Sequence, residues 1–243
     1  RMNLLNNFLF VALPYIAIAV FCVGVIYLYR ATGFKFSALS SQFLEGRGMF
    51  PSTVLFHWSI LVIFLGHLAV FLFPKASLAW HGDPVRLIAD ELVFLTFGLG
   101  VLIGLAGLFL RRVFYPRLHV VTSRMDIVIE LLLLAQIVFG LWIALGYRWG
   151  YYWFAADMSP YLWSIFRLSP QVEAVTAMPW VVKTHIVGAF VIVGLIPFTR
   201  LVHFLVAPLH YLWRPYQQVM WYWDRKRVRD PATAWTETRP TNN

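Results

Sequence analysis

Four histidines stand out because they lie inside long apolar runs of the sequence, where an ionisable side chain is costly. His57 and His67 share one run and are ten residues apart, while His185 and His203 share another and are eighteen residues apart. A single histidine in such a run can simply hydrogen-bond a neighbouring helix. Two histidines on each of two helices favour a ligand site instead, because neutral imidazole is a good ligand for iron and other metals.

The elements that carry these histidines are long enough to cross a membrane. The hydrocarbon core is about 30 Å thick, and a helix needs roughly 20 apolar residues to cross it. Five runs meet this length, and we predict spans over residues 4–29, 52–73, 88–110, 125–145 and 179–206. The first run is too long for the apolar part of a signal peptide, so we expect it to be a span.

The composition points to the same class of protein. Of the 243 residues, 60% are hydrophobic and 13% are charged, whereas a soluble domain has roughly 25% charged residues. A soluble enzyme and a disordered chain are therefore both excluded. We predict an all-α polytopic membrane protein, with a transmembrane domain over residues 1–206 and a basic cytoplasmic tail over residues 207–243.

The positions of the basic residues predict the orientation. Fourteen of the 20 lysines and arginines fall in residues 30–50, in residues 111–124 and from residue 200 onward. Because basic loops stay in the cytoplasm, we expect the N-terminus outside and the C-terminus inside. This placement beside the spans also accounts for the net charge of +9, so we predict no nucleic-acid partner.

Depth in the membrane predicts how the histidines pair. The second and fifth spans run in opposite directions, which places His57 and His203 near the cytoplasm and His67 and His185 near the outer face. At a rise of 1.5 Å per residue, His57 and His67 are separated by about 15 Å along their helix, and His185 and His203 by about 27 Å. The depths of the paired histidines therefore match imperfectly. In a continuous fifth helix, eighteen residues make five turns and place both of its histidines on one face.

The pairs suit a cofactor better than a bare metal ion. Zinc sites usually have four protein ligands, or three and a water, whereas each pair offers two histidines, and the single cysteine, Cys22, cannot form a cluster. A macrocycle with four nitrogens of its own needs two axial ligands. We therefore predict two b-type haems in the helix bundle, not covalently attached because no C-x-x-C-H motif occurs. Histidines that only bridge helices remain the alternative.

Other polar residues are secondary candidates. Arg111 and Arg112 on the cytoplasmic side, and Arg86 on the outer side, could contact the anionic haem propionates, although membrane anchoring explains Arg111 and Arg112 equally well. No role is assigned to the remaining histidines, His81, His119 and His210. Asp126 and Glu130 are unusual because they are acidic residues inside an apolar run, near the start of the predicted fourth span.

Aromatic residues and prolines mark the loops and bends. The outer loop over residues 147–178 is rich in tyrosine and tryptophan, which is typical of an interfacial belt and would also suit the rim of a hydrophobic ligand site. Pro14 and Pro197 lie inside spans and predict kinks.

Several motifs resemble the gamma subunit of membrane-bound respiratory nitrate reductase. They are LFHWSILVIFLGH at 55–67, THIVGAF at 184–190, IPFTRLVH at 196–203 with APLHYL after it, SSQ at 40–42 and RRVFYPR at 111–117. The resemblance covers about residues 3–220. The extension from Trp221 goes beyond the ending of that family and has no assigned function.

The resemblance implies a cofactor arrangement and partners. His67 and His185 would ligate a distal haem b, and His57 and His203 a proximal one. Quinol, either menaquinol or ubiquinol, would be oxidised at the outer face of a prokaryotic inner membrane. Electrons would pass through the distal and then the proximal haem to an iron–sulfur beta subunit and a molybdenum-containing alpha subunit in the cytoplasm, which reduces nitrate. Arg86 stands where the better-known members carry a lysine linked to the quinol site.

The chemistry belongs to cofactors, and no catalytic residue is assigned. Two other functions remain open from the sequence. One is a haem b, quinone-reactive subunit of a related complex that is sulfite-, heterodisulfide- or formate-linked, or nitrite-oxidising. The other is a structural anchor without haem.

Overall fold

The computed structural model describes residues 4–31, 49–119 and 121–206. These residues form helices joined by short turns, and no strand occurs among them. Five helices are long and apolar enough to cross a membrane, which confirms the predicted all-helical, five-span fold. The helices that contain these spans are Leu4–Ala31, Met49–Leu72, Pro84–Phe114, Arg124–Gly146 and Trp180–Phe198. The sequence features at 40–42, His210, and the tail from residue 207 lie outside the described residues.

The third span packs against the second and the fourth spans, and the fifth span packs against the first and the fourth. Glycines allow the close approach of the third span to the second span. A Cβ atom at Gly104 would lie 2.7 Å from the backbone nitrogen of Phe56, which is closer than side chains tolerate. The residue after this contact is His57, so the packing of these two spans positions one of the four histidines.

Local sequence sets where the third and fourth spans begin. Asp83 accepts hydrogen bonds from the backbone of Val85 and Arg86, and Pro84 occupies the first helical position, where its missing N–H costs nothing. At the fourth span, the Ser123 hydroxyl accepts from the Asp126 N–H while the Asp126 carboxylate accepts from the Ser123 N–H. This reciprocal capping box explains why an acid lies at the start of an apolar helix.

The fifth span is interrupted more strongly than the predicted kink. Its α-helix ends at Leu195, a short 3-10 turn covers Ile196–Phe198, and Thr199 is extended with φ −128° and ψ 169°. A second 3-10 segment, Arg200–Val206, then carries His203. Pro197 lacks the N–H that an α-helix needs and its ring crowds the preceding turn, so the expectation of one helix over residues 179–206 with both histidines on one face is wrong. The first span bends more gently, through a π turn at Phe8–Ala12 just before Pro14.

The loop over residues 147–178 folds back onto the spans and forms the best-packed core. A buried cluster joins Phe10 of the first span to this loop; its other members are Met158, Tyr161, Ile165, Val172 and Val175. Tyr161 donates a hydrogen bond to the Phe10 carbonyl at 2.9 Å, and Trp163 stacks on Phe71 at 5.1 Å between ring centres. The prediction of an interfacial belt is thus wrong for these rings, which are used in packing, while Trp149 and Tyr152 are exposed.

Candidate functional site

The structure brings His57 and His203 together. Their ring centres lie 6.2 Å apart with an angle of 59° between the ring planes. The Nδ1 atom of His57 lies 2.8 Å from the Thr53 carbonyl oxygen, and that of His203 lies 2.5 Å from the Arg200 carbonyl oxygen. A carbonyl can only accept, so in each bond Nδ1 carries the hydrogen and donates it. The lone pair of a neutral ring is then on Nε2, where it is available to a metal.

His67 and His185 are the second predicted pair. The Nδ1 of His67 donates to the Ile63 carbonyl at 2.8 Å. The Nδ1 of His185 is buried and has no hydrogen-bond partner among the described residues. Its backbone is held instead, because the side chain of Gln136 donates to the His185 carbonyl at 2.8 Å. Gly140 leaves room for the ring, since a Cβ there would lie 3.2 Å from Cε1 of His185.

The separation of His57 and His203 suits axial ligation of a haem iron. Metal–imidazole bonds are about 2 Å long, and a ring nitrogen lies about 1 Å from its ring centre, so two rings on opposite sides of one metal have centres about 6 Å apart. The 6.2 Å separation of His57 and His203 agrees with this value. His57 and His203 are exposed residues. Among the described residues, no group of three or more His, Cys, Asp or Glu side chains could hold a bare metal ion.

Arg112, a predicted propionate contact, is held by carboxylates. Its guanidinium lies 2.9 Å from Glu130 and 3.5 Å from Asp126, and it donates to the Thr122 hydroxyl at 3.3 Å. Asp126 also pairs with Arg200 at 2.8 Å. The two acids that looked exceptional in the fourth span are therefore the partners of arginines from the third and fifth spans. The neighbouring Arg111 is buried in the same region.

Arg86 lies at the opposite end of the third span, in an aromatic and acidic environment. Its guanidinium lies 4.6 Å from the centre of the Trp80 ring, and its Nε lies 3.9 Å from a carboxylate oxygen of Asp83, the N-cap residue of the same helix. The Trp80 ring N–H donates to Asp90 at 2.9 Å. The cation is therefore held by a stacking contact as well as by charge.

The sequence did not reveal a cluster beside His67. His81, to which no role was assigned, is buried, and its Nε2 lies 3.1 Å from Asp90. The ring of Tyr151 contacts both His67 and His81, with centre distances of 6.0 and 5.7 Å. Burial, with a smaller contribution from the charge of Asp90, raises the pKa of the Tyr151 phenol. The loop that carries Tyr151 reaches this position through its own fold, which no motif in the sequence indicates.

The fold and the site together define an all-helical, multi-pass membrane protein in which His57 of the second span lies beside His203, just beyond the end of the fifth span. Comparison with known proteins agrees with this class. The family model for the nitrate reductase gamma subunit matches residues 6–222, and the chain belongs to that family.

Curated relatives match over nearly their whole length. The nitrate reductase gamma chain of Bacillus subtilis is 32% identical over 84% of this chain and 93% of its own. The respiratory nitrate reductase 2 gamma chain of Escherichia coli is 35% identical over 88% of this chain and 96% of its own. The respiratory nitrate reductase 1 gamma chain of the same organism is 32% identical over 90% and 98%. The protein is thus a membrane-anchored cytochrome b subunit of an oxidoreductase complex, with other subunits as partners.

Proposed function

We propose that this chain is the quinol-oxidising, di-haem b subunit of a respiratory nitrate reductase complex in a prokaryotic inner membrane. Its N-terminus is outside and its tail, residues 207–243, is cytoplasmic. Electrons from quinol at the outer face reach an iron–sulfur beta subunit and then a molybdenum-containing alpha subunit on the cytoplasmic side. The observation that supports the proposal is the approach of His57 and His203, whose ring centres lie 6.2 Å apart.

Each pair would hold one haem b, which supplies one-electron chemistry at its iron when bound. His67 and His185 would be the distal ligands, and His57 and His203 the proximal ligands. In three of the four rings a backbone carbonyl accepts from Nδ1, which leaves the lone pair of the neutral ring on Nε2. Ten residues separate the two histidines of the second span, so the two pairs lie about 15 Å apart along it.

The chain's own residues would bind and orient the substrate at the outer end. Arg86 is the candidate contact for quinol, because stacking on Trp80 holds its guanidinium at the end of the third span. Tyr151 and Phe154 lie against the ring of His67, with centre distances of 6.0 and 5.6 Å. These rings provide an apolar wall of the kind that a lipid-soluble quinol requires.

At the cytoplasmic end, Arg111 and Arg112 remain candidates for propionate contacts. Arg112 is held by Glu130 and Asp126, and Arg111 is buried beside it. A partner that takes electrons inward would dock on this side, where the basic loops and the tail lie.

The test is His67→Ala in the intact complex, with His119→Ala as the matched control. His119 is exposed and lies outside both pairs. We expect His67→Ala to lose the spectrum of the distal haem and to abolish haem reduction by quinol. Dithionite should still reduce the proximal haem, which shows that the protein is folded. Normal quinol-driven reduction with both haems intact would refute the proposal.

A further inference from the structure

His203 lies on a segment that does not continue the α-helix of the fifth span. The α-helix ends eight residues earlier, at Leu195, and Thr199 is extended. The segment Arg200–Val206 is a 3-10 helix, whose hydrogen bonds are poorer in geometry than those of an α-helix. Something other than helix continuity must therefore fix the direction of the His203 ring.

Arg200 connects this segment to the fourth span. Its Nε lies 2.8 Å from Oδ1 of Asp126, and its Nη2 donates to the Val121 carbonyl. The backbone carbonyl of the same Arg200 accepts the hydrogen bond from Nδ1 of His203. One residue thus joins a carboxylate of the fourth span to the group that sets the tautomer and orientation of His203.

Asp126 is itself rigidly placed. It closes the capping box with Ser123, and Arg112 of the third span lies 3.5 Å from its other oxygen. Arg112 is held in turn by Glu130. The side chain of Asp126 is 5% exposed, so solvent screens its charge interactions only weakly.

We infer that Asp126 and Arg200 are positioning residues for the His57–His203 pair. Their ion pair fixes the 3-10 segment so that His203 faces His57 with its Nε2 free for the ligand position. The inference rests on the proposed function, because it concerns the proximal haem. Groups that orient a metal-ligating histidine typically change metal affinity by about 10–100-fold when they are lost.

The test compares Asp126→Asn, Arg200→Gln and Arg200→Lys in the full complex. Asn keeps an oxygen for the Ser123 N–H and removes only the charge, so the helix start is preserved. Asp83→Asn is the matched control, because Asp83 also caps a helix and pairs with an arginine, but at the other end of the third span. The readouts are haem content, low-spin spectra and the midpoint potential of each haem, assigned with His203→Ala and His67→Ala.

We expect Asp126→Asn and Arg200→Gln to weaken haem retention at the proximal site by about 10–100-fold and to shift its spectrum and potential. The spectrum and potential of the distal haem should equal those of the parent protein. Haem retention at the proximal site in Arg200→Lys should fall between that of the parent and that of Arg200→Gln, because lysine keeps the positive charge but lacks the planar guanidinium. The inference fails if the proximal signal equals that of the parent, or if both haems are lost together in Asp126→Asn and in Arg200→Lys. A parent that holds no haem would instead refute the proposed function.

Discussion

Gly104→Ala adds one methyl group where the second and third spans approach most closely. The new Cβ would lie 2.7 Å from the backbone nitrogen of Phe56 and 2.9 Å from its Cα. Ordinary van der Waals contact begins near 3.4 Å, so the helices would have to separate by about 0.7 Å. The obstructing atoms are backbone, and no rotamer change relieves the contact.

The expected magnitude follows from two opposing effects. Overpacking of this kind costs up to about 3 kcal/mol, and the better helix propensity of alanine offsets about 1 kcal/mol. The net loss of about 2 kcal/mol corresponds to a Tm lower by about 4–8 °C in a chain of this size. Because Phe56 precedes His57, we also expect a change in the proximal haem spectrum.

The assay is thermal unfolding of the detergent-solubilised protein at a fixed scan rate, followed by loss of helical circular dichroism. Gly146→Ala is the control, since its nearest neighbour would be Trp142 at an ordinary 3.4 Å. It should be neutral or slightly stabilising. Equal Tm values for Gly104→Ala and Gly146→Ala would refute the reasoning that backbone approach at Gly104 limits the packing of the two spans.

Three further predictions concern packing and charge. Tyr161→Phe removes the hydroxyl that donates to the Phe10 carbonyl, and it should lower the free energy of unfolding by about 1–3 kcal/mol. A lower Tm would show this loss, and an unchanged Tm would contradict it. Arg112→Leu leaves the buried charge of Glu130 without this partner and should lower the free energy of unfolding by about 3–5 kcal/mol. Most of that loss should be recovered when Arg112→Leu is combined with Glu130→Leu. Equal losses in the single and double variants would count against this pairing. Burial raises the pKa of Tyr151, so the folded protein keeps this proton above about pH 10, where the unfolded chain loses it. Stability should therefore fall as pH rises above 10, and less steeply in Tyr151→Phe.

The spans could be predicted because their signal is local. An apolar run of spanning length carries the information within itself, and the observed ends differ from the predicted ends by a few residues, as at Pro84 and Phe114. The break after Leu195 was underestimated because the sequence shows Pro197 but not how the chain continues beyond it. The aromatic loop was misread because tyrosine and tryptophan suit both a membrane interface and a packed core.

The approach of His57 and His203 could be anticipated from depth alone, since antiparallel helices bring equal depths together. The partners of Arg112 could not, because Glu130 belongs to another span and only the packing of the helices brings the charges together. The contact between Tyr151 and His67 likewise joins residues far apart in the chain. Such contacts depend on tertiary structure, which spacing within a single helix does not reveal.

The most direct test of the central claim is the haem content and reduced-minus-oxidised absorption spectrum of the purified complex. We expect two low-spin b haems per chain. His57→Ala should remove one of them and His67→Ala the other. A complex without b haem, or one in which both variants remove the same haem, would contradict the assignment of two separate histidine pairs.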